Sequence, residues 1–257
     1  MTYRDFYDHV LTELNKVEAP TLLLEDFNYF ANKSVQQYIN QVYNRFDTSQ
    51  QSSDDLRVLQ KSDILDVIND KESKILIPGE SGFYVCTLPE DYFHILNCVV
   101  IFNKKKSDTN NKCNNNDSNN IEYNMARRLT ADQFPSIIRN AYFKPSYKCP
   151  YFYINNTNNE GGAYPIKMEI RCGNTNIYEP ISVQIDYLRK PEQISLTWDE
   201  INIAEDTTKE MEFPEYVCYE IINECVKLIL ENSSDVRLQT NYPINKTIGN
   251  VMSSDSK

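Results

Sequence analysis

The chain has 257 residues, enough for one large domain or two small ones with a sizeable core. Its net charge of −11 argues against a protein that binds nucleic acid by neutralising phosphates. No apolar run approaches the roughly 18 residues of a membrane span, and the N-terminus shows no basic region followed by an apolar one, so neither a membrane segment nor a secretory signal is expected.

Two helices are predicted near the N-terminus. Apolar residues recur at helical spacing over residues 3–16, where Thr2 caps the helix together with Asp5. After the break at Ala19-Pro20, Thr21 is expected to cap a longer helix that runs to about Phe46. A third, shorter helix is predicted after a polar loop, and its apolar residues are Leu56, Leu59, Ile64 and Leu65.

The period of the apolar residues changes from about residue 75. Strands are predicted at Phe83–Cys86 and Ile95–Phe102 with a turn at Pro89–Asp91, because β-formers flank turn residues there. Residues 103–120 form a low-complexity loop that cannot bury itself, and we weigh a tolerated insertion against a loop that contacts a partner. Further elements are predicted as a short helix after Thr130 and strands at Tyr151–Ile154, Ile166–Cys172 and Ile181–Leu188.

A final helix is predicted over residues 213–230, with an apolar surface wider than one core requires. Stepped at about 100° per residue, its apolar side chains fill an arc of roughly 220°, whereas a surface helix needs a stripe only a little over 100° wide. Either the chain itself covers both flanks of this helix, or another copy of the chain covers one of them. The distribution of apolar residues around the helix does not by itself decide between these two arrangements.

The order of the elements predicts an α+β fold. Residues 1–70 and 210–240 would form a helical bundle, and residues 75–200 would form an inserted β-rich domain that carries the loop 103–120. Residues 241–257 are expected to be an extended C-terminal tail.

No enzyme constellation is apparent in the sequence. There is no G-x-G-x-x-G, Walker loop or G-x-S-x-G, and the two histidines and seven cysteines form no metal-ligand spacing. Buried free thiols are expected for the cysteines. Carboxylates cluster within residues 199–215, at Glu200, Glu205, Asp206, Glu210, Glu212 and Glu215. A two-carboxylate hydrolase would need a folded cleft around them, so a solvated acidic loop is the simpler interpretation.

Five segments follow one another across most of the chain. They are LLLEDFNYFANKSVQQYINQVYNRFD, DDLRVL, LPEDYFHILNCVV, IDYLRKPEQISL and EFPEYVCYEIINECVKLILENSSDVRLQT. Two features stand out: the strand-turn Leu88-Pro89-Glu90-Asp91-Tyr92, and a strand that ends in Tyr187-Leu188-Arg189-Lys190-Pro191 ahead of a helix that opens with Phe213-Pro214-Glu215-Tyr216. In this order the segments resemble the head-to-tail connector (adaptor) proteins of tailed bacteriophages, and most of all the ring proteins of crAss-like phages.

The resemblance implies a structural virion protein of a podovirus. Such proteins form a ring, typically of twelve copies, beneath the portal; the ring extends the DNA channel and docks the tail. It implies neither catalysis nor a cofactor, and DNA would pass through the channel without specific binding. The protein would be assembled in the cytoplasm of a bacterial host. A tail or collar ring that does not touch the portal, or a phage hydrolase that uses the acidic region, is the alternative.

Two groups of residues are expected to make the contacts of such a ring. A subunit interface is predicted at Phe30, Tyr38, Ile222, Val226, Leu228 and Ile229. A tail segment that binds the portal or an adjacent tail protein is predicted at Arg237, Leu238, Tyr242, Pro243 and Ile244, because a few apolar anchors lie between polar residues there and could order on binding.

Overall fold

The computed structural model describes residues 1–14, 22–46, 49–70, 83–105, 121–130, 133, 136–137, 142–156, 166–203 and 208–232. The fold is α+β, as predicted. The chain divides into two compact units: a terminal unit of Met1–Leu59 and Pro191–Lys257, and a middle unit of Gln60–Lys190. The predicted cap at Thr21, most of the loop 103–120, most of the helix after Thr130 and the whole predicted tail lie outside the described residues.

The terminal unit begins with helix α1, Tyr3–Glu13, and helix α2, Leu24–Tyr43. The predicted capping box of α1 is present, because Thr2 accepts from the Asp5 amide and Asp5 accepts from the Thr2 amide. The predicted apolar face of α1 is fully buried. Helix α2 begins two residues later than a cap at Thr21 would place it, and the residue at its N-cap, Leu23, is exposed.

Helix α3, Gln50–Leu56, continues into a 3-10 turn at Arg57–Leu59 and then into a strand. The prediction of one helix that includes Ile64 and Leu65 was therefore wrong. These two residues lie in a strand that pairs over seven residues with a distant part of the chain. Those cross-strand hydrogen bonds outweigh a helical spacing that was already irregular between Leu59 and Ile64.

The C-terminal part of the terminal unit contains α4, Trp198–Asn202, and α5, Glu215–Asn232. A capping box between Thr197 and Glu200 starts α4 within the region predicted as an acidic loop. Pro214 precedes α5, and its carbonyl accepts from the amides of Val217 and Cys218. Helices α1 and α2 both contact α5, and α2 also contacts α3.

The middle unit contains two sheets built from nine strands in its described part. The strands are β1 Gln60–Asp66, β2 Ile68–Asp70, β3 Phe83–Thr87, β4 Tyr92–Lys104, β5 Ile121–Met125, β6 Arg127–Arg128, β7 Tyr151–Asn156, β8 Ile166–Arg171 and β9 Tyr178–Arg189. One sheet has the order β1-β9-β4-β5 and the other β2-β3-β8-β7-β6. All pairings are antiparallel except β6 with β7.

The chain passes between the two sheets at four places within the described residues. Val67 joins β1 to β2, the Pro89–Asp91 turn joins β3 to β4, Ala126 joins β5 to β6, and residues 172–177 join β8 to β9. Strands that change sheet in this way form the corners of a two-sheet sandwich. The predicted strand, turn and strand are confirmed, but the turn changes sheet instead of closing a hairpin.

The core of the middle unit lies between the inner faces of the two sheets. Val183, Ile185 and Tyr187 of β9 are buried as predicted, whereas Ile181 is exposed beside a bulge between β4 and β9. The core also holds three buried cysteines, Cys86, Cys98 and Cys172. Burial raises the pKa of the Cys86 thiol to about 12, so this side chain packs as a small neutral hydrophobe.

Candidate functional site

The six side chains predicted at a subunit interface are all buried within the single chain. They are Phe30, Tyr38, Ile222, Val226, Leu228 and Ile229, and none is more than 8% exposed. On α5, every apolar residue of the predicted arc is buried except Tyr219, which is 44% exposed. This burial argues against the interface assignment and favours the alternative in which the chain covers its own helix. A folded subunit has to present other residues to a neighbour.

The buried carboxylate of Asp55 joins three parts of the terminal unit. Asp55 lies in α3, and its Oδ1 accepts a 2.7 Å hydrogen bond from the hydroxyl of Tyr216 at the start of α5. Its Oδ2 lies 3.4 Å from the hydroxyl of Tyr38 in α2. A buried carboxylate is stable only where such donors satisfy it, so this contact fixes the position of α3 against two helices.

The tyrosines around Asp55 are held in their neutral form. The hydrogen bond to Asp55, followed by burial, raises the pKa of Tyr216 to about 12. Burial, and then the negative charges of Glu220 and Asp55, also raise the pKa of Tyr38. Burial and the charge of Asp55 raise the pKa of Glu220 itself. The hydroxyls of Tyr38 and Tyr216 therefore remain protonated hydrogen-bond donors throughout the physiological pH range.

Two asparagines of α2 bind an extended segment of residues 191–197. The Asn28 side chain donates to the Leu196 carbonyl at 2.9 Å and accepts from the Leu196 amide at 3.0 Å. Asn32, one helical turn later, makes the same pair of bonds with Ile194, both at 2.8 Å. Side-chain amides thus replace a neighbouring strand for this segment, whose Ile194 and Leu196 side chains are buried.

A third polar contact joins β1, β9 and the turn before β4 in the middle unit. The hydroxyl of buried Tyr187 lies 2.7 Å from Asp63 Oδ2 and 3.0 Å from Asp91 Oδ1. Lys61 Nζ is 3.1 Å from Asp91 Oδ2 and 3.7 Å from Asp63. The Lys190 amide donates to the Asp91 carbonyl at 2.7 Å. The two sequence features Leu88–Tyr92 and Tyr187–Pro191 therefore meet here.

The polar and charged groups of this contact shift one another's pKa values. Burial acts to raise the pKa of Asp91, but the hydrogen bonds from Lys61 and Tyr187 outweigh it, so the pKa lies below its usual value. The hydrogen bond to Asp91 in turn raises the pKa of Lys61. Burial, and then the bonds to Asp63 and Asp91, raise the pKa of Tyr187. The hydroxyl shares its single proton between the carboxylates of Asp63 and Asp91.

The described carboxylates of the acidic region are used in local structure. Glu200 caps α4, Glu212 accepts from the Glu192 amide, and Glu215 accepts from the Tyr219 hydroxyl. Glu192 also pairs with Lys209. Glu205 and Asp206 lie outside the described residues. The carboxylates of Glu200, Glu212 and Glu215 thus each have a structural partner, and within the described residues these contacts do not assemble a two-carboxylate site.

The described residues contain no group of three or more His, Cys, Asp and Glu side chains placed to hold a metal ion. Within the same ranges, none of the helices has the length and apolar character needed to cross a membrane. The predicted tail residues Arg237, Leu238, Tyr242, Pro243 and Ile244 lie outside the described part, so their assignment remains a prediction.

Sequence reasoning missed the roles of the residues in the three polar contacts, and it did not single out Asn28, Asn32, Asp55 or Asp63. Asn28 and Asn32 follow the helical i, i+4 spacing and the segment 193–197 alternates buried and exposed residues, so a side-chain amide pair facing a strand-like segment was a possible signal. Asp55 and Asp63 offered no such signal, because the tyrosines that make their 2.7 Å hydrogen bonds, Tyr216 and Tyr187, are separated from them by more than 100 residues.

No protein-family model matches the chain, and no curated protein matches it at a significant level.

Proposed function

We propose that this chain is a structural subunit of the head-to-tail connector of a tailed bacteriophage. One observation carries the proposal: each of the five segments that resemble connector rings supplies a residue to the three polar contacts. The residues are Asn28, Asn32 and Tyr38, then Asp55, Asp91, Tyr187 with Ile194 and Leu196, and Tyr216. These segments thus contribute residues that hold each unit together, as expected if they specify the fold that the resemblance implies.

The proposed subunit has a helical bundle and an inserted β domain. The terminal unit combines both ends of the chain, and α1 and α2 each contact α5, which supports one bundle built from the two ends. The middle unit contains both sheets. The bundle would stack around a channel, and the segment 237–244 would reach the portal or an adjacent tail protein.

The proposed ring carries a large negative charge around DNA. Twelve copies is the number that the resemblance implies, and each copy has a net charge of −11. Like charge repels the phosphate backbone, so DNA would slide through the channel without tight or specific binding. The protein would be part of the virion after assembly in the host cytoplasm, and it would need no cofactor and catalyse no reaction.

Imaging with the portal protein of the same genome tests this proposal. The purified chain is mixed with portal rings and examined by cryo-electron microscopy. We expect a second ring, coaxial with the portal and of matching symmetry. Portal rings without an added layer, together with rings of this chain alone, would place the chain in the tail or collar instead. Portal rings without any ring of this chain would contradict the proposal.

A further inference from the structure

The middle unit presents an exposed apolar strip on an outer strand. Ile121, Tyr123 and Met125 lie on one face of β5, and Tyr123 and Met125 are 64% and 67% exposed. In the described residues β5 pairs only with β4, so it is an edge of its sheet. Val99 and Ile101, the register partners of Met125 and Tyr123, are half-buried and continue the apolar surface onto β4.

Positive charges border this strip at both ends. Lys104 follows the residue that pairs with Ile121, and Arg127 and Arg128 follow Met125; all three cations are exposed. Glu122 lies on the opposite face of β5, where it bonds the Tyr178 hydroxyl. We name the surface formed by Ile121, Tyr123, Met125, Lys104, Arg127 and Arg128 the basic strip. It is unusual in a chain of net charge −11.

The terminal unit presents a surface of opposite character. Glu215, Tyr216, Tyr219, Glu220 and Asn223 share one side of α5, because their spacing keeps them within a single helical face. All five residues are exposed, and Tyr216 and Tyr219 are the two large side chains among them.

Further carboxylates surround these tyrosines. Asp54 and Glu220 add to the effect of the Asp55 hydrogen bond in raising the pKa of Tyr216. Asp5 adds to the effect of Glu215 in raising the pKa of Tyr219. We name the surface formed by Tyr216, Tyr219, Glu215, Glu220, Asp54 and Asp5 the acidic face.

We propose that the basic strip of one copy docks onto the acidic face of a second copy. Both surfaces combine exposed tyrosine with charge, and the signs of their charges are opposite, so contact would bury aromatic area and pair Arg with carboxylate. Because each copy has both surfaces and they differ, the contact can repeat from copy to copy and close a ring. This inference rests on the proposed function, because it supplies the interface between neighbouring copies of the proposed ring.

Two double variants, each disabling one surface, test the contact. The strip variant is Tyr123→Ser with Met125→Ser, and the face variant is Tyr219→Ser with Glu220→Lys. A matched control, Ile68→Ser with Ile177→Ser, removes two equally exposed apolar residues of the middle unit that lie outside the strip. Circular dichroism and thermal melting of each protein establish that all three variants remain folded before assembly is measured.

Sedimentation velocity then measures assembly. The wild-type chain and the control should form oligomers, and each double variant should weaken self-association by roughly tenfold or more. An equimolar mixture of the two variants is the sharpest measurement, because one retains an intact strip and the other an intact face. The mixture should form a heterodimer and nothing larger.

Two results would overturn the contact. One is a wild-type chain that stays monomeric in the concentration range of the experiment, and the other is a pair of folded double variants that assemble like the control. Neither result depends on the portal. A chain that lacks this contact and still adds a ring to the portal keeps its proposed function. A chain that makes the contact but does not bind the portal keeps the contact and is placed in the tail or collar instead.

Discussion

Tyr187 has no exposed surface, yet its hydroxyl bonds two carboxylates that reach the solvent. The ring fills the core of the middle unit while the oxygen anchors β1 and the turn before β4. Hydrogen bonds to charged groups contribute about 1.5–3 kcal/mol each, roughly twice the value for neutral pairs. One side chain therefore joins three segments that lie far apart in the sequence.

Removal of that hydroxyl is the first prediction at the residue scale. Tyr187→Phe should lower the free energy of unfolding at pH 7 by about 1–3 kcal/mol, because both carboxylates lose their buried donor while the ring still fills the core. Equilibrium denaturation in urea measures the difference. Tyr142→Phe, at a residue 94% exposed, is the control and should change stability by less than about 0.5 kcal/mol.

The pH dependence of this difference follows from Asp91. Its pKa is lower in the folded chain than the ordinary value of about 4, so ionised Asp91 stabilises the fold at neutral pH. That contribution is lost as the pH falls from about 4 through the lower folded pKa. The gap between wild type and Tyr187→Phe should therefore narrow below about pH 4. A gap that stays constant to pH 2 would contradict this role of the carboxylate.

The sequence predicted correctly which face of β9 carries Tyr187, but it did not predict the hydrogen bonds of the Tyr187 hydroxyl. Alternation along β9 placed Tyr187 on the same face as Val183 and Ile185, and all three are buried. The partners of its hydroxyl lie 124 and 96 residues away, and alternation within one strand carries no information over that distance.

At the scale of elements, α2 acts as a template for the extended segment 191–197. Four hydrogen bonds from Asn28 and Asn32 satisfy the backbone groups of Ile194 and Leu196. Ile194 and Leu196 are buried, so their backbone groups would otherwise be left unpaired, at a cost of about 1–3 kcal/mol for each. The segment leads from β9 to α4, so its attachment to α2 determines how the C-terminal part of the terminal unit begins.

Substitution of Asn32 tests the template. Asn32→Ala should lower the free energy of unfolding by about 2 kcal/mol, because it leaves the Ile194 amide and carbonyl without partners. Asn32→Asp should be similarly destabilising, since aspartate keeps the acceptor but lacks the amide donor. Asn223→Ala, an exposed asparagine of α5, is the matched control and should be nearly neutral. Equal stability of Asn32→Ala and the control in urea denaturation would contradict the template.

Helices and strands with a regular pattern were predictable, and those defined by distant pairing were not. The apolar spacing of α1 and α5 is regular over three or more turns, and both helices were predicted close to their observed bounds. Strand β1 was mistaken for helix because its pairing with β9 decides its structure. The width of the apolar arc of α5 could not show whether the same chain or another copy covers it. In the structure, residues of the same chain bury this arc.

At the scale of the molecule, the exposed surfaces decide how copies of the chain could assemble, whereas the cores only hold each unit together. The core of the terminal unit buries the residues that the sequence offered as an interface, whereas Tyr216 and Tyr219 remain exposed close to several carboxylates. Composition gave only the net charge of −11, whereas the structure separates an acidic face from a basic strip. A chain that carries two surfaces of opposite charge is suited to repeated assembly with copies of itself.

The most direct test of the connector proposal is a native mass spectrum of the chain, recorded alone and with the portal protein of the same genome. We predict one closed species whose mass is an integral multiple of the chain mass, formed alone or on the portal, with the copy number given by that multiple. A chain that remains monomeric in both samples would contradict the account.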